Sequence, residues 1–261
     1  MSPADLLPAR ALPALSWLVA RRPRFRASVP PRELAESQWN EIAVRYPRLG
    51  PRPAGRVALA RRRIWFLSGR ALATPRHGPR WEGGRPSPGP AVYLTSHLGD
   101  LRALRYALRL EGAPAAIVIS PSTIGRTGSA FSDAKCDRRR FFEFPHLLSS
   151  GSPHRLRAAL RHGSLIITID GPEFEFFETP FLGGILRLDP RPLRLAKLAG
   201  VPVRAAFLTA PGGRLTVTLG REIDPSGGAA EILREIGGLL DVVASRSPCD
   251  FDGLSHLGLS A

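Results

Sequence analysis

A chain of 261 residues with 37 Lys and Arg against 22 Asp and Glu, a formal charge of +15, is long enough for one domain with a substantial buried core and too basic to be indifferent to anions. Its two cysteines, Cys136 and Cys249, lie far apart with no Cys/His cluster around them, which excludes a disulfide framework or a zinc site and fits a reducing cytoplasm. Lys135 and Lys197 are the only lysines, so the positive charge is arginine, whose planar fork suits phosphate and carboxylate; the competing reading is a merely solvated basic surface.

Leu6 to Ala20 is apolar but broken by Pro8, Arg10 and Pro13 and is shorter than the ~20 residues of a spanning helix. It also lacks the layout of a signal peptide. Followed by RRPRFR at 21–26, it reads either as an interfacial helix whose arginines meet an anionic membrane surface or as a helix packed on the domain. From Pro31, the spacing of Leu34, Trp39, Ile42, Ala43 and Tyr46 predicts a helix with one apolar face. Val57 to Ala73 reads as a second helix, or as a strand and a helix. Residues 74–90, TPRHGPRWEGGRPSPGP, are so dense in Pro and Gly that a loop without regular structure is expected.

Beyond Pro90 short apolar runs alternate with helical ones. AVYLTS, AAIVIS, SLIITID, VPVRAAFL and RLTVTLG read as strands, while 98–110, 153–162, 190–199 and Ala229 to Ser245 read as helices. Strands separated by helices of this length imply βαβ crossovers and a mainly parallel sheet. VRAAFL and RLTVTL flank TAPGGR, a turn signal that predicts an antiparallel hairpin. The expected fold is therefore α/β: a mixed, largely parallel central sheet flanked by helices, with a helical prelude. Residues 1–89 form that prelude and loop, and 90–261 the α/β core of one integrated domain.

Ligands of such sheets gather beyond the carboxyl ends of strands, where His97 falls in YLTSHLGDLRALRYAL. A neutral imidazole there suits a general base; a histidine at a strand-to-helix junction also serves as a cap or polar filler. HLGD after an apolar strand, then RLRAALRHGSLIITIDGP, then TPFLGGILRLDPRPLRLAKLAGVPVRAAFL and GRLTVTLGREI, resembles the lysophospholipid acyltransferase superfamily in order and spacing. Within it, the chain is most similar to the bacterial late (lauroyl/myristoyl) acyltransferases of lipid A synthesis. The likeness covers roughly residues 90 to 225 and implies a glycerolipid acyltransferase-like α/β fold. It further implies acyl transfer from an acyl-CoA or acyl-carrier-protein thioester to a hydroxyl or amine of a lipid or small molecule, without metal or tightly held cofactor.

In that family the histidine of an H-x4-D or H-x4-E motif is the base and the acid orients it. His97 matches the base, but the fifth residue after it is Arg102, which cannot accept a hydrogen bond. Asp100, three residues after His97, either replaces the missing acid or serves as a helix cap. Asp170 and Gly171 end a strand at the family's acidic turn, where Asp170 either binds the acceptor or completes the dyad. Arg126 and Arg102 are candidates for substrate contact, Arg126 through phosphate. Glu173, Glu175 and Glu178 read as solvated carboxylates after a turn, or as recognition of a cationic acceptor. The alternative to an enzyme is a degenerate homologue that binds lipid, acyl donor or a partner protein. Nucleic acid is not an expected partner, because the arginines are dispersed and no binding motif is present. The expected location is the cytoplasm or the inner face of the membrane, as a peripheral protein.

Overall fold

A computed structural model describes residues 36–50, 67, 79–119, 147–170 and 175–248. The described elements in chain order are α1 (Glu36–Arg45), β1 (Arg80–Glu82), β2 (Val92–Thr95), α2 (Leu101–Leu110), β3 (Ala115–Ile119), β4 (Leu147–Ser149), α3 (Pro153–Ala159), β5 (Ser164–Thr168), β6 (Phe177–Phe181), β7 (Gly184–Leu188), α4 (Arg191–Ala199), β8 (Val203–Thr209), β9 (Thr216–Leu219) and α5 (Ala229–Arg246). Seven strands make one sheet in the order β1-β9-β8-β2-β5-β3-β4, and β6 and β7 form a separate antiparallel hairpin. From β8 to β4 all neighbours are parallel, whereas β9 is antiparallel to β8 and β1 runs with β9. The fold is thus α/β, with a mixed, largely parallel sheet flanked by helices.

The apolar runs are continuous rather than alternating because both sheet faces are covered. Val92, Leu94, Leu165, Val203, Ala205 and Phe207 enter one cluster with residues of α3, α4, α5 and the hairpin. Tyr93, Ile166, Ala206 and Leu208, one residue out of phase, enter a second with Leu104 and Leu108 of α2. The period-2 alternation of strand side chains produces this division. Each fully buried leucine or phenylalanine contributes about 1.5–3 kcal/mol, so these two layers are the main source of stability. The described N-terminal residues join the first layer: Ile42, Tyr46 and Leu49 belong to it, and the Tyr46 ring meets Phe181 edge-on with centroids 5.5 Å apart.

Several expectations need correction. The Pro/Gly-rich stretch 74–90 contains β1, paired in parallel with β9 through Arg80↔Thr216, Trp81↔Val217 and Glu82↔Thr218. The three residues between Pro79 and Gly83 suffice because an edge strand pairs on one side only. A further short strand, β4, was not legible in the sequence. Residues 177–188 form a two-stranded antiparallel hairpin, turning at Leu182 and Gly183, both with positive φ. That double left-handed turn matches the strand twist. The expected β8–β9 hairpin is present, with Ala206↔Leu219 to Thr209↔Thr216 in register. Leu6 to Ala20 and, apart from the buried Leu67, residues 57–73 lie outside the described residues.

Candidate active site

β2 and β5 are adjacent and parallel, with Thr95 opposite Thr168. The connection leaving β2 crosses β5 to reach β3, while the connection leaving β5 crosses back past β2 to reach β8. Two neighbouring strands whose chains depart in opposite directions leave a crevice beyond their carboxyl ends, the usual ligand position of open α/β sheets. His97 lies two residues past Thr95 and Asp170 two residues past Thr168. The register therefore brings them level.

Both Asp170 carboxylate oxygens lie 3.1 Å from Nδ1 of His97, and the His97 backbone N–H donates to the same oxygens at 3.1 Å. A carboxylate only accepts hydrogen bonds, so the proton sits on Nδ1 and the basic lone pair on Nε2. The ladder continues past β5 to hold Asp170: Ile169 N–H donates to the Thr95 carbonyl at 2.9 Å, Asp189 N–H to the Ile169 carbonyl at 2.7 Å, and Asp170 bridges Leu188 at the end of β7. The Asp170 side chain is 2% exposed and that of His97 40% exposed. A buried acid thus orients a histidine that still reaches solvent. The Asp170 charge raises the His97 pKa above its ordinary value, burial opposes it, and the hydrogen bond adds to the rise.

Gly99 has φ +76, a left-handed conformation that favours glycine, and it turns the chain from His97 into α2. Asp100 is the N-cap of that helix, accepting from the Arg102 N–H at 2.9 Å. Its carboxylate also holds the Arg102 guanidinium, through Nε at 3.0 Å and a second nitrogen at 2.7 Å. Burial alone would push the Asp100 carboxyl up; the Arg102 guanidinium and the backbone N–H groups of Arg102 and Ala103 outweigh it and hold it below the usual range. Of the two readings of Asp100, the structure has the cap. It corrects the placement of Asp100 as the imidazole's acid, because its carboxylate is held by Arg102.

Asp170, far along the chain from His97, is thus the carboxylate that contacts the imidazole. No family model and no curated protein matches this chain. Arg126 and Gly171, the remaining candidates for substrate contact, lie outside the described residues, as does Glu173. Glu178 pairs across the hairpin with Arg187 at 3.2 Å, and Glu175 pairs with Arg194. These glutamates form an ion-paired surface rather than a cluster converging on His97. Phe176 lies beneath the Arg187 guanidinium, 4.2 Å from ring centroid to the guanidinium carbon. Among the described residues no group of three or more His, Cys, Asp and Glu side chains is placed to hold a metal ion, and no helix is long and apolar enough to cross a membrane.

Proposed function

We propose that the chain is an acyltransferase that moves an acyl group from an acyl-CoA or acyl-carrier-protein thioester to a hydroxyl or amine of a lipid or small-molecule acceptor. The observation that carries this reading is the Nδ1 contact between His97 and the buried Asp170 at the crevice between β2 and β5. Nε2 removes the proton from the acceptor as its oxygen or nitrogen bonds to the thioester carbonyl carbon. The negative charge that develops on the carbonyl oxygen is met by backbone N–H or arginine donors. Collapse of the tetrahedral intermediate breaks the C–S bond, and the imidazolium returns the proton to the leaving thiolate. Asp170 stabilises the imidazolium between those steps and keeps the productive tautomer. Gly171 and Arg126 are proposed as acceptor and phosphate contacts, and the arginine-rich surface as a docking face for an acidic carrier protein or an anionic membrane at the inner face.

The test is turnover of a panel of acyl-CoA and acyl-carrier thioesters with lipid and amine acceptors, comparing wild type with His97→Ala and Asp170→Asn. Transfer that falls by about 10²–10⁴-fold in His97→Ala supports the reading. Transfer that survives His97→Ala at the wild-type rate removes it. Thioester bound but never transferred by wild type would make the chain a binding protein instead.

A further inference from the structure

A second cavity lies at the same end of the sheet but away from His97, on the far side of β8. Directly opposed residues of neighbouring strands share a face, so the registers Arg80↔Thr216↔Thr209 and Glu82↔Thr218 set two rows side by side. The last turns of α5 cover these rows with Val243 and Arg246, and Arg214 closes the side, around a volume of about 320 Å³. Each water occupies roughly 30 Å³ of liquid volume, so the space holds considerably more than a single ion.

The charge is one-sided, with three guanidinium groups facing one carboxylate. Glu82 is engaged by Arg246, at 3.4 Å. Arg80 and Arg214 both line the cavity and, like Arg155, Arg157, Arg161 and Arg234, have no carboxylate partner among the described residues. Thr209, Thr216 and Thr218 are buried, and Thr216 donates to the Arg214 carbonyl at 3.3 Å. The Thr209 and Thr218 hydroxyls remain as donors on the cavity floor. Two unmatched guanidinium forks with two hydroxyls offer more donors than one carboxylate accepts, and their charge matches a dianion.

We infer that this cavity is a binding site for the phosphate group of a phosphomonoester or diphosphate ligand. Arg80 and Arg214 form the fork-to-oxygen contacts, and Thr209 and Thr218 donate from the floor. Glu82 restrains Arg246 and opposes the ligand's charge. This site does not depend on the acyl-transfer reading, because neither His97 nor Asp170 belongs to it.

Calorimetric titration at low ionic strength with inorganic pyrophosphate, glycerol 3-phosphate and adenosine 3′,5′-bisphosphate tests it without turnover. Wild type binds at least one probe, and the probe preferred separates a lipid-type phosphate from a nucleotide-type one. The Arg80→Gln/Arg214→Gln double variant weakens that binding by about tenfold or more, the worth of one charge-assisted hydrogen bond. Glu82→Gln strengthens it, an outcome that misfolding does not produce. His97→Ala binds the probes as wild type does, even if acyl transfer is never observed. The inference is overturned if no probe binds wild type, if the double variant binds unchanged, or if Glu82→Gln weakens binding.

Discussion

Replacing Asp170 by Asn removes a charge while keeping the side chain's shape, and the geometry around it dictates the result. At the observed 3.1 Å between Nδ1 and the carboxylate, the attraction is about 5 kcal/mol at an effective dielectric of about 20 and about 1 kcal/mol in bulk water. Because the His97 side chain is 40% exposed, screening places the pair toward the lower of these limits. An Asn has one acceptor oxygen, which the backbone N–H of His97 claims, so its NH₂ group faces Nδ1. A donor there requires Nδ1 to accept, which moves the imidazole proton to Nε2 and removes the outward lone pair. Nitrogen-15 NMR of the ring reads both consequences: Asp170→Asn switches the neutral tautomer, and the His97 pKa falls below its ordinary value because burial is left unopposed. Stability follows with a defined sign. The pair is fully formed below the unfolded histidine pKa and is lost as pH rises through the raised folded one. Wild type therefore exceeds Asp170→Asn by about 1–2 kcal/mol in mildly acid solution and by less in alkaline solution. An unchanged Nδ1–H tautomer in the variant, or a stability gap that widens as pH rises, would refute the reasoning.

Asp100→Ala removes the α2 cap and costs about 1 kcal/mol, a melting-temperature drop of roughly 2–4 °C for a chain of this size, while leaving the His97 titration in place. Because Asp100 is held below the ordinary carboxylate range, its contribution is present above the unfolded Asp pKa and disappears as pH falls through the folded one; chemical denaturation across acid pH checks this. A Cβ at Gly237 would lie 2.6 Å from Oγ1 and 2.7 Å from Cγ2 of Thr179, on a buried β-branched side chain with little room to turn. Gly237→Ala therefore destabilises by about 1–3 kcal/mol despite a helix-propensity gain of about 1 kcal/mol, and Thr179→Ala in the same chain recovers part of the loss. Phe207→Ala, in the first core layer, costs about 3–5 kcal/mol, whereas the exposed Val242→Ala stays within about 0.5 kcal/mol, as equilibrium unfolding measures.

Local chemistry made much of this protein legible from its sequence. The apolar runs at 92–95, 115–119, 164–168 and 203–209 are strands with both faces covered, and the amphipathic runs at 101–110, 191–199 and 229–246 are helices packed on the sheet. The β8–β9 hairpin followed from its turn residues, and His97 stood out because it follows the end of a strand. Pairing decided the rest. β1 is a strand only because β9 offers it an edge, which overrides a local composition of Pro and Gly. Asp100 and Arg102, two residues apart, close a local cap and ion pair, so the nearest acid in sequence is consumed where it stands. The partner of His97 lies 73 residues away. Two strands distant along the chain are held level by a parallel ladder, and no spacing in the sequence encodes that register. The same ladder logic gathers Arg80, Thr209, Thr216 and Arg214 around one cavity. Propensity and pattern act within a few residues, whereas a site is made by side chains that only the packed sheet brings together.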